Sequence, residues 1–308
     1  MIVKECVAEN KKRILITGVG GFIGSNLMRR MSLKYDVIGC DVMALDSPQC
    51  MVVDMIDLPK IQECIVSANP DIIIHCAGAA NVGKSISEPE WDYNANVTVT
   101  HNILFSLIKL NKKVKFIYLS SAAVYGNPKH LPITEQSQLN PLSPYALHKI
   151  MCEDICRYVN SNYGIDMKIC RIFSAYGVGQ RKQIFWDMYN KIETTGKLEL
   201  YGTGKESRDY IEIRDLINAI ETIMLSDDSA IVYNVANGNE VFINYAAEVF
   251  VEQYNMPKDI IKFNNINKAG DPQNWRADIS RLKALGYAPS IDFSMGIADY
   301  VKWVKALR

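Results

Sequence analysis

Tyr145 and Lys149 stand four residues apart in LSPYALHKIMCEDICRYV, a stretch that enters through Pro144 and reads as a helix. The phenol and the ammonium therefore share one face. Most such pairs are surface decoration, but the chemistry open to this one is specific. A tyrosinate acting as a base near neutral pH must be held roughly three pH units below the free phenol's value of about 10, about 4 kcal/mol of differential stabilisation. A nearby cation supplies that kind of stabilisation. Upstream, SSAAVYG (120–126) closes an apolar run. A hydroxyl of Ser120 or Ser121 there would stand at the C-terminal edge of a sheet, where open α/β folds take their ligands. The plainer alternative is a strand-end cap.

Gly18, Gly21 and Gly24 recur every three residues in GVGGFIGSNL, directly after RILIT (13–17). Glycine inside a helix costs roughly 0.5–1 kcal/mol relative to alanine, so the spacing implies that something approaches the backbone. A strand, then glycines, then a helix is the setting of a dinucleotide fingerprint. There the amides and the helix N-terminus face a pyrophosphate. The expectation is that this ligand explains the glycines. Asp41 ends the next strand-like run, 17 positions beyond Gly24. That is close to the roughly 20 expected of the acid that binds a ribose 2′-hydroxyl and repels a 2′-phosphate, favouring NAD over NADP. With NAD in place, its cationic nicotinamide would add to the charge beside Tyr145, and Lys149 would reach the nicotinamide ribose.

The elements that must position these residues are legible. RILIT (13–17), DVIGC (36–40), DIIIH (71–75), VKFIYL (114–119), MKICRIF (167–173) and IVYNVA (231–236) are nearly continuous apolar runs, the pattern of strands buried on both faces. Helical stretches alternate with them, which predicts an α/β, Rossmann-like, doubly wound parallel sheet. Regularity weakens after about residue 177, where loop-like GVGQRKQ and NKAGDPQN appear. The expected division is a dinucleotide-binding domain over 1–176 plus about 209–237. A smaller C-terminal α/β domain, over 177–208 and 238–308, would bind the substrate across the crevice.

The 308 residues carry zero formal net charge, which weighs against a nucleic-acid surface. No apolar run is long enough to span a bilayer, and the charged N-terminus does not read as a signal peptide. The expected location is the cytoplasm, with the eight cysteines, none in a CxxC pair, as buried thiols. No metal site is expected, because ligand spacings are lacking.

Taken together, these motifs make the chain closely resemble the extended short-chain dehydrogenase/reductase superfamily, in its nucleotide-sugar epimerase/dehydratase branch. TGVGGFIG (17–24), VDMID (53–57), HCAG (75–78), NANV (94–97), SSAAVYG, YALHK (145–149), RIFSAYG (171–177), GTGKESRDY (202–210), YNVANG (233–238) and AGDPQNWRADISRLKALGY (269–287) occur in order. The resemblance implies Ser121, Tyr145 and Lys149 as catalytic residues. It implies Gly18, Gly21, Phe22, Ile23 and Gly24 at the NAD pyrophosphate, Asp54 and Met55 at the adenine, and Ala77, Gly78, Asn96 and Phe173 as further NAD contacts. For the sugar nucleotide it implies Arg208 at the diphosphate, Tyr201 beside a uracil, and Ser174, Lys182, Gln183, Lys268, Asp271 and Trp275 around the substrate.

The departures narrow the chemistry. Ala122 and Ala123 stand where dehydratases of this branch carry Asp-Glu, so no acid is there to protonate a leaving hydroxide. Ser174 replaces a common Asn. Lys268 replaces a phosphate-binding Arg, a point charge in place of a bidentate fork, for which Arg181 and Lys182 could compensate. Trp275 falls where hexose 4-epimerases gate bulky 2-acetamido groups, which leans toward UDP-glucose and UDP-galactose. The leading expectation is an NAD-dependent UDP-hexose 4-epimerase working through a 4-keto intermediate. The alternatives are a nucleotide-4-keto-6-deoxysugar reductase using NAD(P)H, and an idle nucleotide-binding subunit. The resemblance also implies a homodimer formed by helices at about 91–111 and 145–162.

Overall fold

The computed structural model describes residues 11–266 and 270–307. Its centre is a seven-stranded, all-parallel sheet. The strands are β1 (Arg13–Thr17), β2 (Asp36–Asp41), β3 (Cys50–Val52), β4 (Ile72–His75), β5 (Lys115–Ser121), β6 (Asp166–Ile172) and a last strand, Val232–Val235. Their spatial order is the last strand, β6, β5, β4, β1, β2, β3. The order reverses direction beside β1, leaving a crevice at the C-terminal edge between β1 and β4. The expected doubly wound sheet is present. The strand missed by sequence reading is β3, whose three residues, CMV, are too short and too exposed to make an apolar run.

Alternation of side chains explains why the strands read as unbroken apolar runs. Ile14, Ile16, Ile72, Ile74, Ile117 and Leu119 enter one core layer. Leu15, Ile73, Phe116 and Tyr118 enter the other. A strand covered on both faces has no polar side to reveal its period.

The helices on the two faces are α1 (Phe22–Met31), α2 (Leu58–Ala68), α3 (Val82–Ser87), α4 (Pro89–Tyr93), α5 (Val99–Lys109) and α6 (Pro144–Tyr163). Between α4 and α5 the chain winds as a π-helix, Asn94–Thr98. The sequence predicted one regular helix there. The π turn holds Asn96, and such turns tend to fall at functional sites. Helix α6 enters through Pro144, as expected; the structure adds a Ser143 side chain that accepts from the Ala146 amide and a Gly164 stop.

A third apolar cluster lies in the later sequence. Its centre is Tyr176, on a short strand Ser174–Tyr176, with Phe185, Met188, Phe250, Ile297 and Tyr300, carried by α7 (Gln183–Thr195), the helix Ile243–Tyr254 and the helix Phe293–Lys305. Residues Trp275, Ala277, Ile279, Leu282 and Tyr287 instead pack into the first core layer, so this segment straps the later part of the chain to the sheet.

Candidate active site

The glycine loop comes first, because the structure corrects its reading. Gly18 has φ +73°, and a Cβ there would lie 2.6 Å from the Ala77 amide nitrogen. A Cβ on Gly24 would lie 2.2 Å from the Gly18 carbonyl oxygen. What approaches these two glycines is the chain itself: β4's following loop crosses Gly18, and the first turn of α1 rests on Gly18. A ligand is not needed to explain them. It remains a use for the surface they create. Helix α1 starts at Phe22 with Gly21 as N-cap, no side-chain cap and no acid in the first turn. An N-terminus left with bare amides and no internal anion is open to a phosphate.

Asp41 closes this loop from β2. Its carboxylate accepts from the Gly20 amide at 2.9 Å and from the Met43 amide at 3.0 Å. Asp54 is exposed and accepts from the Ile56 amide, whereas Met55 is buried in the second core layer. Ala77 and Gly78 follow β4. Asn96 is buried; its Nδ2 donates to the Asp92 carbonyl oxygen at 3.1 Å, while its Oδ1 has no hydrogen-bond partner among the described residues. A buried, unpaired acceptor is costly and calls for a donor from outside. The bare helix start, the Asp41 carboxylate and this orphan oxygen form a donor and acceptor set that fits a dinucleotide.

Beneath them runs a buried chain of polar groups that sequence reading did not single out. The Ala77 amide donates to Thr17 Oγ1 at 3.1 Å, and Thr100 Oγ1 donates to the Asn96 carbonyl at 2.7 Å. His75 sits between the two threonines, 2.7 Å from Thr17 Oγ1 through Nδ1 and 3.2 Å from Thr100 Oγ1 through Nε2. Because the Thr100 hydroxyl hydrogen is committed to Asn96, it accepts from Nε2–H, and Thr17 donates to Nδ1. This assigns the neutral Nε2–H tautomer to His75. Burial, and the Lys149 charge after it, hold its pKa down to about 3. The signal was HCAG itself, a polar side chain ending an apolar strand.

The corner at the end of β5 gathers the chemistry. Lys149 is buried, and its Nζ donates to the Leu119 carbonyl at 3.1 Å. Nζ lies 5.8 Å from the Tyr145 ring centroid and 5.0 Å from that of Tyr118. Ser121 is two residues past Leu119, half-buried, and its Oγ accepts from the Ala123 amide at 3.2 Å. Ala122 and Ala123 form the short 3₁₀ turn that follows, Ala122–Tyr125. The Tyr145 amide donates to Ser85 Oγ at 3.2 Å, tying the start of α6 to α3.

Above this corner come residues from the later sequence. Phe173 follows β6, and Ser174 begins the short strand Ser174–Tyr176. Trp275 is buried; its Nε1 donates to the Gly126 carbonyl at 3.0 Å, and its ring meets Phe173 edge-on at 5.8 Å. The Arg208 guanidinium lies 5.7 Å over the Trp275 ring and donates to the Ser207 and Gln273 carbonyls. Thus the fold brings Phe173, Trp275 and Arg208 into one group.

Asp209, next to Arg208, clasps this region to the sheet: its carboxylate accepts from the Asn237, Gly238 and Ala277 amides. Burial pushes it up to about 7, against the pull of those amides. Other expected substrate residues are exposed. Tyr201 is exposed, with Lys191 Nζ 5.8 Å from its ring, and Lys182, Gln183 and Asp271 are exposed. Gln183 has φ +65°, a left-handed backbone that costs a non-glycine residue energy. Lys268 lies outside the described residues.

The chain matches the NAD dependent epimerase/dehydratase family over residues 14–236, and it belongs to that family of NAD-dependent enzymes. A Methanocaldococcus jannaschii protein, provisionally named UDP-glucose 4-epimerase, is 30% identical over 307 residues, covering 95% of this chain and 98% of its own. The UDP-glucose 4-epimerase of Lactobacillus helveticus is 27% identical over 330 residues, covering 96% and 97%. The solved UDP-N-acetylglucosamine 4-epimerase of Methanobrevibacter ruminantium M1, in complex with UDP-N-acetylmuramic acid, superposes with a TM-score of 0.88. It is 26% identical and covers 97% of this chain and 100% of that one. Among the described residues no group of side chains is arranged to hold a metal ion, and no helix is long and apolar enough to cross a membrane.

Proposed function

We propose that this chain interconverts UDP-hexoses by inversion at C4, with UDP-glucose and UDP-galactose as the substrate pair. The observation that carries the reading is the β5 corner: Lys149 is pinned to the Leu119 carbonyl beside the Tyr145 ring, Ser121 follows on the same strand end, and alanines occupy the next two positions. That arrangement can move a proton to and from a sugar hydroxyl. It offers no acid at 122 or 123 to expel a second hydroxyl as water.

In this reading Tyr145 takes the proton of the 4-hydroxyl while Ser121 hydrogen-bonds the same oxygen. Lys149 places its ammonium beside the phenol ring. NAD, when bound, accepts and returns the C4 hydride, so the reaction has no net redox change. The bare start of α1 (Phe22, Ile23), with Gly18, Gly21 and Gly24 shaping the loop, would hold the pyrophosphate. Asp41 would hold a ribose, Asp54 and Met55 would border the adenine, and Ala77, Gly78, Asn96 and Phe173 would line the rest. Arg208 would meet the substrate diphosphate, with Tyr201 beside the base. Ser174, Lys182, Gln183, Asp271, Trp275 and, outside the described residues, Lys268 would surround the sugar. Trp275 supports the smaller hexoses: its buried indole is fastened to Gly126 and cannot swing aside without losing that bond.

We also assign residues 1–176 with 209–237 to the dinucleotide part, and 177–208 with 238–308 to the sugar part. A homodimer through α4–α6 is supported by the exposed Trp91, Tyr93, Leu147 and Tyr158. The seven described cysteines are free thiols, which suits a cytoplasmic enzyme.

The test is to denature the purified protein, identify any nucleotide released, and incubate untreated enzyme with UDP-glucose and no added cofactor. Near-stoichiometric NAD and the appearance of UDP-galactose are expected. Released NADP, or turnover only with added NADPH and a 4-keto-6-deoxysugar nucleotide, would replace this reading with the reductase.

A further inference from the structure

Behind the β5 corner, away from solvent, a charged network joins α6, β5 and β6. Glu153 lies one helical turn beyond Lys149 and is fully buried. Its Oε1 accepts from Ser120 Oγ at 2.7 Å and from Arg171 Nε at 2.9 Å. Its Oε2 accepts from Arg171 Nη2 at 2.7 Å and from Arg157 Nη2 at 2.8 Å. Arg171, on β6 and 2% exposed, donates through Nη1 to the Tyr125 hydroxyl and the Glu135 carbonyl. Burial alone would raise the Glu153 carboxyl; its bonds to Arg171 and Ser120 outweigh this and hold it ionised, below the ordinary carboxylate value.

A buried ion pair of this kind is weak evidence for stability, because apolar residues of the same shape often serve as well. Its geometry points to another use. Two side chains one turn apart on α6, Lys149 and Glu153, grip two consecutive residues of β5: the Leu119 carbonyl and the Ser120 hydroxyl. The next residue is Ser121. Two hydrogen bonds at different heights along the helix fix both its slide and its rotation against the strand. A displacement of about 1 Å along these bonds takes both beyond hydrogen-bond distance, and displacements of that size cost reactions up to about 100-fold.

We propose that Glu153 and Ser120 are positioning residues that lock the register of α6 on β5, so that Tyr145 and Lys149 meet Ser121 in reactive geometry. The inference rests on the epimerase reading for its kinetic consequence, and on the fold alone for the lock itself.

Ser120→Ala is the primary test, because it leaves the Glu153–Arg171 pair intact; Glu153→Gln is the second. In the NAD-loaded full chain, Ser120→Ala is expected to lower kcat about tenfold with KM for the UDP-hexose within about twofold. Reductive methylation with peptide mapping supplies a readout independent of activity. At a temperature where the variant is fully folded, Lys149 should label several-fold faster than in the wild type. Lys168, equally buried but bonded to the Asp228 and Ala230 carbonyls at the far end of the sheet, should stay protected. Unchanged Lys149 labelling, or both lysines deprotected together, overturns the lock. So does full kcat in both variants of an active wild type. A wild type that inverts no UDP-hexose sinks the epimerase reading, while the labelling pattern still decides the lock.

Discussion

The two sides of the proposed crevice are built differently. On the sheet side, the proposed dinucleotide half is made of backbone and of buried groups that already hold each other: Gly18 against Ala77, Gly24 against Gly18, Asp41 on the Gly20 amide, and Thr17–His75–Thr100 beneath. On the opposite side, Lys182, Gln183, Tyr201 and Asp271 are exposed side chains on loops and helix starts, while Trp275 and Arg208 are anchored. A pocket made of backbone is pre-organised and serves one constant ligand. A pocket made of free side chains can be altered residue by residue without disturbing the fold, which is where relatives with different sugars are free to diverge.

The sharpest break of this contrast lies where the two sides meet. Tyr145→Phe removes only a hydroxyl. Turnover of UDP-glucose should fall about 10³-fold or more while released NAD stays stoichiometric; a variant with full activity sinks the mechanism. Next comes the backbone side. Gly24→Ala drives a Cβ into the Gly18 carbonyl and should cost on the order of 3 kcal/mol in denaturant unfolding, with loss of retained NAD. At Gly21 the nearest atom to a Cβ is 3.2 Å away, so Gly21→Ala should cost about 1 kcal/mol or less while still weakening NAD retention. Equal destabilisation by the two would dissolve the distinction between glycines for folding and glycines for the ligand.

His75 tests the layer under the cofactor half. Its folded pKa, about 3, lies below the unfolded value of about 6.5. Between these pH values the unfolded chain binds a proton that the native one refuses, so stability falls as pH drops. Against His75→Asn, the wild type should lose about 1.4 kcal/mol more per pH unit below about pH 6. The comparison between the two proteins cancels Asp209, whose raised pKa acts with the opposite sign: its contribution is present below about pH 4 and lost as pH rises through about 7. Parallel stability–pH curves for the two proteins would show that His75 is not held neutral. The smallest effect belongs to the side-chain half. Arg208→Lys replaces a planar fork by a point charge, and should raise KM for the UDP-hexose about fivefold with kcat within about twofold and Tm unchanged. A change in kcat alone would place Arg208 nearer the reacting carbon than the diphosphate.

Periodicity and local chemistry made much legible from the residues alone. Apolar runs of five to seven residues marked six of the seven sheet strands; β3 escaped because three residues carry no period. Pro144 marked the start of α6, and the i,i+4 spacing placed Tyr145 and Lys149 on one face; the Gly164 stop emerged only from the structure. The uninterrupted helix expected around Asn96 was wrong by one π turn, since an extra residue in a helical turn leaves no mark on composition. The motif positions came from resemblance, which orders residues along the chain but does not place them in space.

What the sequence determined by itself was the menu: a parallel α/β sheet, a glycine loop, an acid after the second strand, and a tyrosine–lysine pair. These follow from short-range rules of propensity, capping and side-chain period. What only the tertiary structure decided was which atoms share a partner. It assigned Gly18 and Gly24 to the chain's own close packing, hung Lys149 from Leu119, and set Arg171 of β6 on Glu153 of α6. It also left Asn96 Oδ1 waiting for a donor. Such pairings join residues from different parts of the chain, and their energy exists only once those parts are packed and water is gone.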